Sequence, residues 1–295
     1  MRILLTGCGG QLGGALLHAL ASVGEVIAAD RSSIDLSKPE QIAERVSALR
    51  PELIVNAAAY TDVERAEVES DAAMTVNGAS VGQLARAARD LAVPLIHYSS
   101  DYVFDGTKVT PYVEEDLPAP LSAYGRSKLE GENQIRAVGC AHLILRTSWV
   151  YAATGRNFLT TMLRLAAERE ELRVVDDQWG APTFAGSIAT ATAELIKQTY
   201  ASEAARARFQ SGDTVHLVDS GVTSWFGFAT EIFESAAVRK RVRAPRLVPI
   251  KAMEFPTKAR RPANSRLSIE KAQTVWSLTV PDWRDALAEC LSQMR

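Results

Sequence analysis

Five glycines crowd one nine-residue stretch near the start of this chain, Thr6-Gly7-Cys8-Gly9-Gly10-Gln11-Leu12-Gly13-Gly14. Gly7, Gly10 and Gly13 are spaced G-x-x-G-x-x-G, directly after the aliphatic run Arg2–Thr6 and at the head of the helical pattern Gln11–Val23. A strand that turns at once into a helix needs backbone free of Cβ atoms at the bend, and the first N–H groups of such a helix have no intrahelical acceptor. Those groups and the helix dipole favour an anion. The stretch therefore predicts a strand, a phosphate-cradling loop and a helix, the opening of a parallel β-α-β unit.

The first half of the chain keeps that alternation. Strand candidates are Arg2–Thr6, Glu25–Ala29, Leu53–Asn56, Pro94–Ser99 and His142–Thr147, separated by loops and by helical stretches such as Ala72–Leu91. This is the pattern of an α/β fold, a Rossmann-like doubly wound parallel sheet. In such sheets ligands bind beyond the carboxyl ends of the strands, so the segments that follow each strand are the ones to read for chemistry. Beyond Val150 the alternation weakens. An amphipathic stretch Phe158–Glu168, a short strand Arg173–Val175, a helical pattern Ser187–Thr199 and a terminal helix Asp282–Met294 remain, with proline and arginine gathered between Ala244 and Arg266. We expect a dinucleotide-binding domain over 1–150. Residues 151–295 should form mainly a smaller C-terminal α/β substrate lobe, with a segment at about 172–200 returning to the first domain.

Composition narrows the partners. A formal net charge of −2 gives no basic field for a nucleic-acid backbone or an anionic membrane. The basic cluster Arg239, Lys240, Arg241 and Arg243 reads as a solvated face. No stretch approaches the roughly 20 apolar residues of a membrane span. Three cysteines without a CxxC pair suggest neither a disulfide framework nor structural zinc, and the four histidines lack metal-ligand spacing. The reading is a cytoplasmic protein that binds no nucleic acid and no membrane, with no metal site.

The bound anion is then the pyrophosphate of a dinucleotide. Asp30 ends the second strand, where an acidic side chain can accept hydrogen bonds from the adenosine ribose and argues for NAD(H). Arg31 follows it, and a guanidinium there can pair with the extra phosphate of NADP(H), so both NADPH and NADH stay open. Cys8, with no histidine or second cysteine nearby in sequence, reads as a small side chain in a crowded turn. Ala57, Ala58 and Ala59 offer small side chains beside a flat cofactor. Tyr124 and Lys128, in Ala-Tyr-Gly-Arg-Ser-Lys, lie one helical turn apart on one face. An ammonium and a cationic nicotinamide both favour the tyrosinate, so this phenol should be lowered toward useful acid–base chemistry. Ser99-Ser100-Asp101 closes the fourth strand, where a hydroxyl can reach a substrate carbonyl or the tyrosine.

A glycine loop, a hydroxyl after the fourth strand and Tyr-x-x-x-Lys, in that order, resemble the extended short-chain dehydrogenase/reductases. The runs HYSSDYVFDG, YGRSKLEGE, LRTSWVYA, NFLTTMLRLA, DDQWGAPT and RRPANSRLS narrow this: over nearly the whole chain they are similar to the dTDP-4-dehydrorhamnose reductase family. The resemblance implies reduction of the C4 keto group of dTDP-4-dehydro-β-L-rhamnose with NADPH or NADH, the last step toward dTDP-β-L-rhamnose. It implies Tyr124 as proton donor, Lys128 on the nicotinamide ribose and tuning Tyr124, and Ser100, where the family more often has threonine, as a tuning hydroxyl. It places Gly10, Gln11, Leu12, Asp30, Asp35, Leu36, Ala57, Ala58, Ala59 and Ser99 along the cofactor, with Tyr124 and Lys128, beside Gly7, Gly13 and Arg31 already read from the loop and the second strand. Ser100, Asp101, Tyr124 and Trp149 fall at the sugar, Trp149 with a broad apolar face, and Arg261 can meet the pyrophosphate of a dTDP-sugar.

Some members bind magnesium between two subunits through carboxylates, where this chain has Ala15 and Gly186; without those oxygens a magnesium-bridged dimer is not expected, and a monomer or weak homodimer is. Nucleotide-sugar dehydratases of the superfamily carry Thr-Asp-Glu where this chain has Ser100-Asp101-Tyr102, which favours simple reduction. The alternatives are another nucleotide-sugar reductase or epimerase, and a non-catalytic nucleotide-binding subunit like the regulatory subunit of methionine adenosyltransferase.

Overall fold

The computed structural model describes residues 1–294. Five strands run close to their expected positions: β1 (Arg2–Thr6), β2 (Glu25–Ala29), β3 (Leu53–Asn56), β4 (Leu95–Ser100) and β5 (His142–Thr147). They are followed by β6 (Val150–Tyr151), β7 (Glu171–Val175), β8 (Trp179–Gly180), β9 (Thr183–Phe184), β10 (Asp213–His216), β11 (Thr223–Ser224) and β12 (Arg246–Ile250). The first five strands and β10 form an all-parallel six-stranded sheet in the order β10-β5-β4-β3-β1-β2. Every residue of β3, β4 and β5 is buried, as expected of central strands covered on both faces. The sixth strand is absent from the sequence reading because Asp-Thr-Val-His at a sheet edge carries neither an apolar run nor an alternation.

Helices α1 (Gln11–Leu20), α2 (Ile42–Leu49), α3 (Val63–Ala66), α4 (Ser70–Met74), α5 (Ser80–Asp90), α6 (Ala123–Val138), α7 (Phe158–Glu168) and α8 (Ala185–Ala201) supply much of the cover. One face of the sheet packs Leu16 and Leu20 of α1 against Ile188, Leu195 and Ile196 of α8, with Trp276 and Leu278 from near the C-terminus. The other face carries Ile42 and Val46 of α2, Val81 and Leu84 of α5, and Ile135 of α6. The sheet is doubly wound.

A second core holds Tyr151, Leu159, Leu172, Val174, Phe184, Phe228, Ile232, Trp283 and Leu287, and belongs to a smaller α/β lobe in which β7 pairs with β12. Packing divides within the stretch of about 172–200. Leu172 and Val174 belong to the second core, while α8 contributes to the first from Ile188, followed by Phe209, Val215 and Leu217 and again by Trp276. Alternating burial along β7 faces the small lobe, whereas the alanine-rich α8 has the flat profile that fits closely on α1.

The expected helix Ala72–Leu91 is broken into α4, a π-helical turn Thr75–Ala79 and α5. Its side chains show why. Asn77 in the wide turn accepts from Tyr60 N (2.8 Å) and donates to Tyr60 O (3.0 Å) and Ser127 Oγ (2.9 Å), tying the turn to the loop after β3 and to α6. α6 passes so close that a Cβ on Gly131 would strike Asn77 O.

Candidate active site

β1 has β2 on one side and β3 on the other, and the strand order reverses there, opening the crevice of a doubly wound sheet at their carboxyl ends. The glycine stretch fills that position. Gly7 has φ +73°, and a Cβ on it would come within 2.6 Å of Ala58 N, so the loop packs backbone to backbone against Ala57 and Ala58. A Cβ on Gly13 would strike Gly7 O. Gly10 is the N-cap of α1 and supplies no side-chain cap, leaving N–H groups of the first turn for an outside acceptor, while Gly9 faces open space. These observations fit a dinucleotide pyrophosphate at the head of α1.

The other cofactor candidates line the same edge. Asp30 is exposed and its Oδ1 accepts from Ser32 N (2.9 Å) and Ser32 Oγ (2.6 Å), which with Ser33 hold the carboxyl below its ordinary value. Arg31 beside it is exposed. Asp35 is likewise lowered, by its bonds from Ser37, and Leu36 is buried with its carbonyl accepting from Ser80 Oγ. Gln11 reaches the other lobe: its Oε1 accepts from Asn157 Nδ2 (2.8 Å) and its amide donates to Arg156 O (3.3 Å), while Leu12 packs on the main core.

At the end of β4, Ser99 is buried beside Glu132, whose carboxyl its hydroxyl helps to lower, and Ser100 Oγ donates to Asp101 Oδ1 at 3.0 Å. Asp101 is 2 % exposed, and burial pushes its carboxyl up to about 6 against the lowering effect of the Ser265 and Ser100 hydroxyls. Ser122 caps α6 through Gly125 N, and a Cβ on Gly125 would strike Tyr102 O. The head of α6 is thereby pressed onto the Asp101–Val103 turn, and the Tyr124 and Tyr102 rings meet edge to face at 5.4 Å.

The phenol is not lowered in the protein alone. Burial and the Asp101 charge push Tyr124 up to about 12, opposed by the Ser100 hydroxyl. Lys128, one turn along α6, is engaged elsewhere: its ammonium donates to Tyr98 O at 2.6 Å and stands 3.4 Å from His97 Nε2. Burial brings Lys128 down to about 8, with Glu132 acting in the opposite sense. His97 is held neutral by burial and by Lys128, and its other ring nitrogen is 2.9 Å from Asn56 Nδ2; Asn56 in turn accepts from Thr6 Oγ1 at 2.6 Å. A buried polar line thus joins β1, β3, β4 and α6.

Trp149 follows β5 with φ +49°, a conformation that costs a bulky side chain about 1–3 kcal/mol and gathers at functional sites. Its ring is stacked on Trp225 at 3.5 Å between centroids, so the broad apolar face expected of it is already occupied. Arg261 sits on a strap of irregular chain that follows β12. Its Nη2 donates to Glu64 Oε1 at 3.0 Å, Glu64 also accepts from Lys258 N at 2.7 Å, and Arg261 Nε is buried without a partner.

Sequence reasoning missed Asn56, Asn77, His97, Tyr102, Ser127 and Glu64. Polar residues inside or just after apolar runs were the available signal, since a buried amide or imidazole needs partners that the fold must supply. No group of three or more metal-ligating side chains is found among the described residues. No helix among them is long and apolar enough to cross a membrane.

The family model "RmlD substrate binding domain" matches residues 1–295. The chain belongs to that family. The dTDP-4-dehydrorhamnose reductase of Burkholderia thailandensis is 47% identical over 100% of this chain and 99% of its own length. That of Escherichia coli K12 is 44% identical over 100% and 98%. Among solved structures, the Bacillus anthracis dTDP-4-dehydrorhamnose reductase in complex with NADP superposes with a TM-score of 0.90 at 32% identity, covering 99% of each chain. The fold and the dinucleotide-binding, oxidoreductase character of this family member follow.

Proposed function

We infer that this protein is an NAD(P)H-dependent oxidoreductase that reduces the C4 keto group of dTDP-4-dehydro-β-L-rhamnose to give dTDP-β-L-rhamnose. The observation that carries it is the grouping of Ser100, Asp101 and Tyr124 at the carboxyl end of β4, with Lys128 one turn along α6 on Tyr98 O and only β3 between β4 and the strand that leads into α1, in a chain matched end to end by reductases of that name.

The reduced nicotinamide supplies a hydride. Tyr124 supplies the proton that turns the nascent C4 alkoxide into the hydroxyl, and a phenol kept protonated at neutral pH is in the right form for a donor. Ser100 orients that phenol and the carbonyl. Lys128, fixed by Tyr98 O, holds the nicotinamide ribose, and its charge eases proton loss from Tyr124 once a cationic ring is beside it. Glycines 7, 10 and 13 with the backbone of Gln11 and Leu12 hold the pyrophosphate. Asp30, Arg31, Asp35 and Leu36 line the adenosine side, and Ala57, Ala58, Ala59 and Ser99 the flat face. Trp149 and Asp101 contact the sugar and Arg261 the substrate pyrophosphate, with cytoplasmic residence and a monomer or weak homodimer as the working state.

The test is oxidation of NADPH and of NADH, followed at the nicotinamide absorbance, with enzymatically prepared dTDP-4-dehydro-L-rhamnose. Stoichiometric formation of dTDP-rhamnose is expected. Tight cofactor binding without oxidation would point instead to a binding subunit or another keto-sugar.

A further inference from the structure

The indole of Trp149 has no open face. Trp225 lies parallel to it, with ring centroids 3.5 Å apart and planes 10° apart. The opposite face is covered by backbone: a Cβ on Gly180 would stand 2.7 Å from Cε2 and 3.0 and 3.1 Å from Cζ2 and Cδ2. Those distances put the glycine above the ring rather than at its rim. No atom of Trp225 lies nearer to that position than these three, which a ring stacked 3.5 Å over the same face could not satisfy, so the two covers lie on opposite sides. Phe158 leans on Trp225 at 4.7 Å and stacks on the buried Phe228 at 5.4 Å, so the clamp is anchored in the core of the small lobe.

What the clamp leaves is an edge. Trp149 is half-buried, and among the described residues its Nε1–H has no acceptor and is not sealed from solvent. The left-handed backbone at Trp149 sets the direction of its Cα–Cβ bond, and the bond from Thr183 N to Trp149 O at 3.2 Å holds that backbone in place. The ring cannot turn about its side-chain torsions without losing both stacking partners. An indole edge with a free N–H reads a sugar differently from an indole face, because a directional donor rejects an analogue whose oxygen is displaced far more strongly than apolar area does.

We propose that Trp225 is a substrate-positioning residue: with Gly180 it clamps Trp149 so that the indole edge bearing Nε1–H, rather than a ring face, meets the sugar of the nucleotide-sugar substrate. The proposal rests on the reading of Trp149 as the sugar contact, and its test separates the two.

Trp225→Leu, Trp225→Phe, Gly180→Ala, Trp149→Phe and Trp149→Ala are compared by KM for the keto-sugar, kcat, NADPH affinity from nicotinamide fluorescence, and melting temperature. Trp225→Leu and Gly180→Ala should each raise KM by roughly tenfold, the loss of about one well-placed hydrogen bond, with NADPH affinity unchanged. Trp225→Phe should restore KM to within about twofold, because a phenyl ring still stacks. Trp149→Phe should behave like Trp225→Leu. A purely structural role would lower the melting temperature of Trp225→Leu while leaving KM alone; that result, beside an impaired Trp149→Ala, overturns the clamp and spares the sugar contact. An unaltered KM in Trp149→Ala removes both. Should Trp225→Leu fail to fold, Gly180→Ala decides, and an unchanged KM there rejects the proposal.

Discussion

At the scale of the residue, Tyr124 and Lys128 divide one task between two environments. Burial and Asp101 hold the phenol at about 12, so it keeps its proton until charge gathers beside it, whereas burial brings the ammonium down to about 8. Tyr124→Phe should cut kcat by about 10²–10⁴-fold, the usual worth of a positioned acid, with NADPH affinity within about twofold of the parent. Equal turnover in the two proteins would remove Tyr124 as donor. Ser100→Ala should lower kcat as well, and Ser100→Thr should keep it, since only the hydroxyl is required. The pH profile follows from Lys128. Its folded value lies below that of a free lysine, so the cation present at neutral pH is lost as pH rises through about 8, and kcat/KM should fall on an alkaline limb near there. Lys128→Arg should move that limb to higher pH, and an unmoved limb would assign it to another group.

At the scale of the element, the site depends on helices brought too close for side chains. The head of α6 touches the turn after β4 at Gly125, and its middle touches the π-helical turn at Gly131. Gly125→Ala meets backbone that cannot rotate away, so it should cost about 1–3 kcal/mol in denaturant titration and lower kcat through displacement of Tyr124. A stable, fully active Gly125→Ala would show that α6 has room to move. A second element-scale contact is Asp219, which follows β10 and accepts from Phe184 N at the start of α8 at 2.9 Å. Burial pushes its carboxyl up to about 7, against the lowering effect of Phe184 N and the Ser187 hydroxyl. A carboxyl raised on folding gives stability that is complete below its unfolded value and is lost as pH rises through its folded one. Asp219→Asn should therefore melt higher than the parent at pH 8, with the gap closing toward pH 4. A gap that does not change with pH would mean that Asp219 does not titrate in this window.

At the scale of the molecule, two cores share one chain, and the strap carrying Arg261 is bound to the first lobe by Glu64, by Asn264 N to Gly106 O at 3.2 Å, and by Tyr112 N to Arg266 O at 2.8 Å. A segment from the far end of the sequence is thus tied to the loops that follow β3 and β4. Assembly belongs to this scale as well. Ala15 packs against the main core, and a Cβ on Gly186 would press within 2.7 Å of Phe184 Cζ, so neither position offers oxygen to a metal. We expect the same elution volume with magnesium and with EDTA in size-exclusion chromatography with light scattering. A mass that doubles with magnesium alone would contradict this. The parallel sheet, its first five strands, the glycine loop and the pairing of Tyr124 with Lys128 on one helix face were legible in the chain itself, because each is a local pattern whose period or spacing carries its own geometry. β10, the break in Ala72–Leu91 and the position within α8 from which the chain packs on the first core were not, because an edge strand, a helix widened by Asn77 and an alanine-rich helix owe their form to neighbours distant in sequence. The same division runs through the site. Which residues have acid, hydroxyl, ammonium or glycine character was determined by the sequence. That Tyr124 stays protonated, that Lys128 answers to Tyr98 and His97, and that Trp149 shows an edge were decided by tertiary structure, since burial and packing set proton affinity and ring orientation, and both are properties of surroundings rather than of residues.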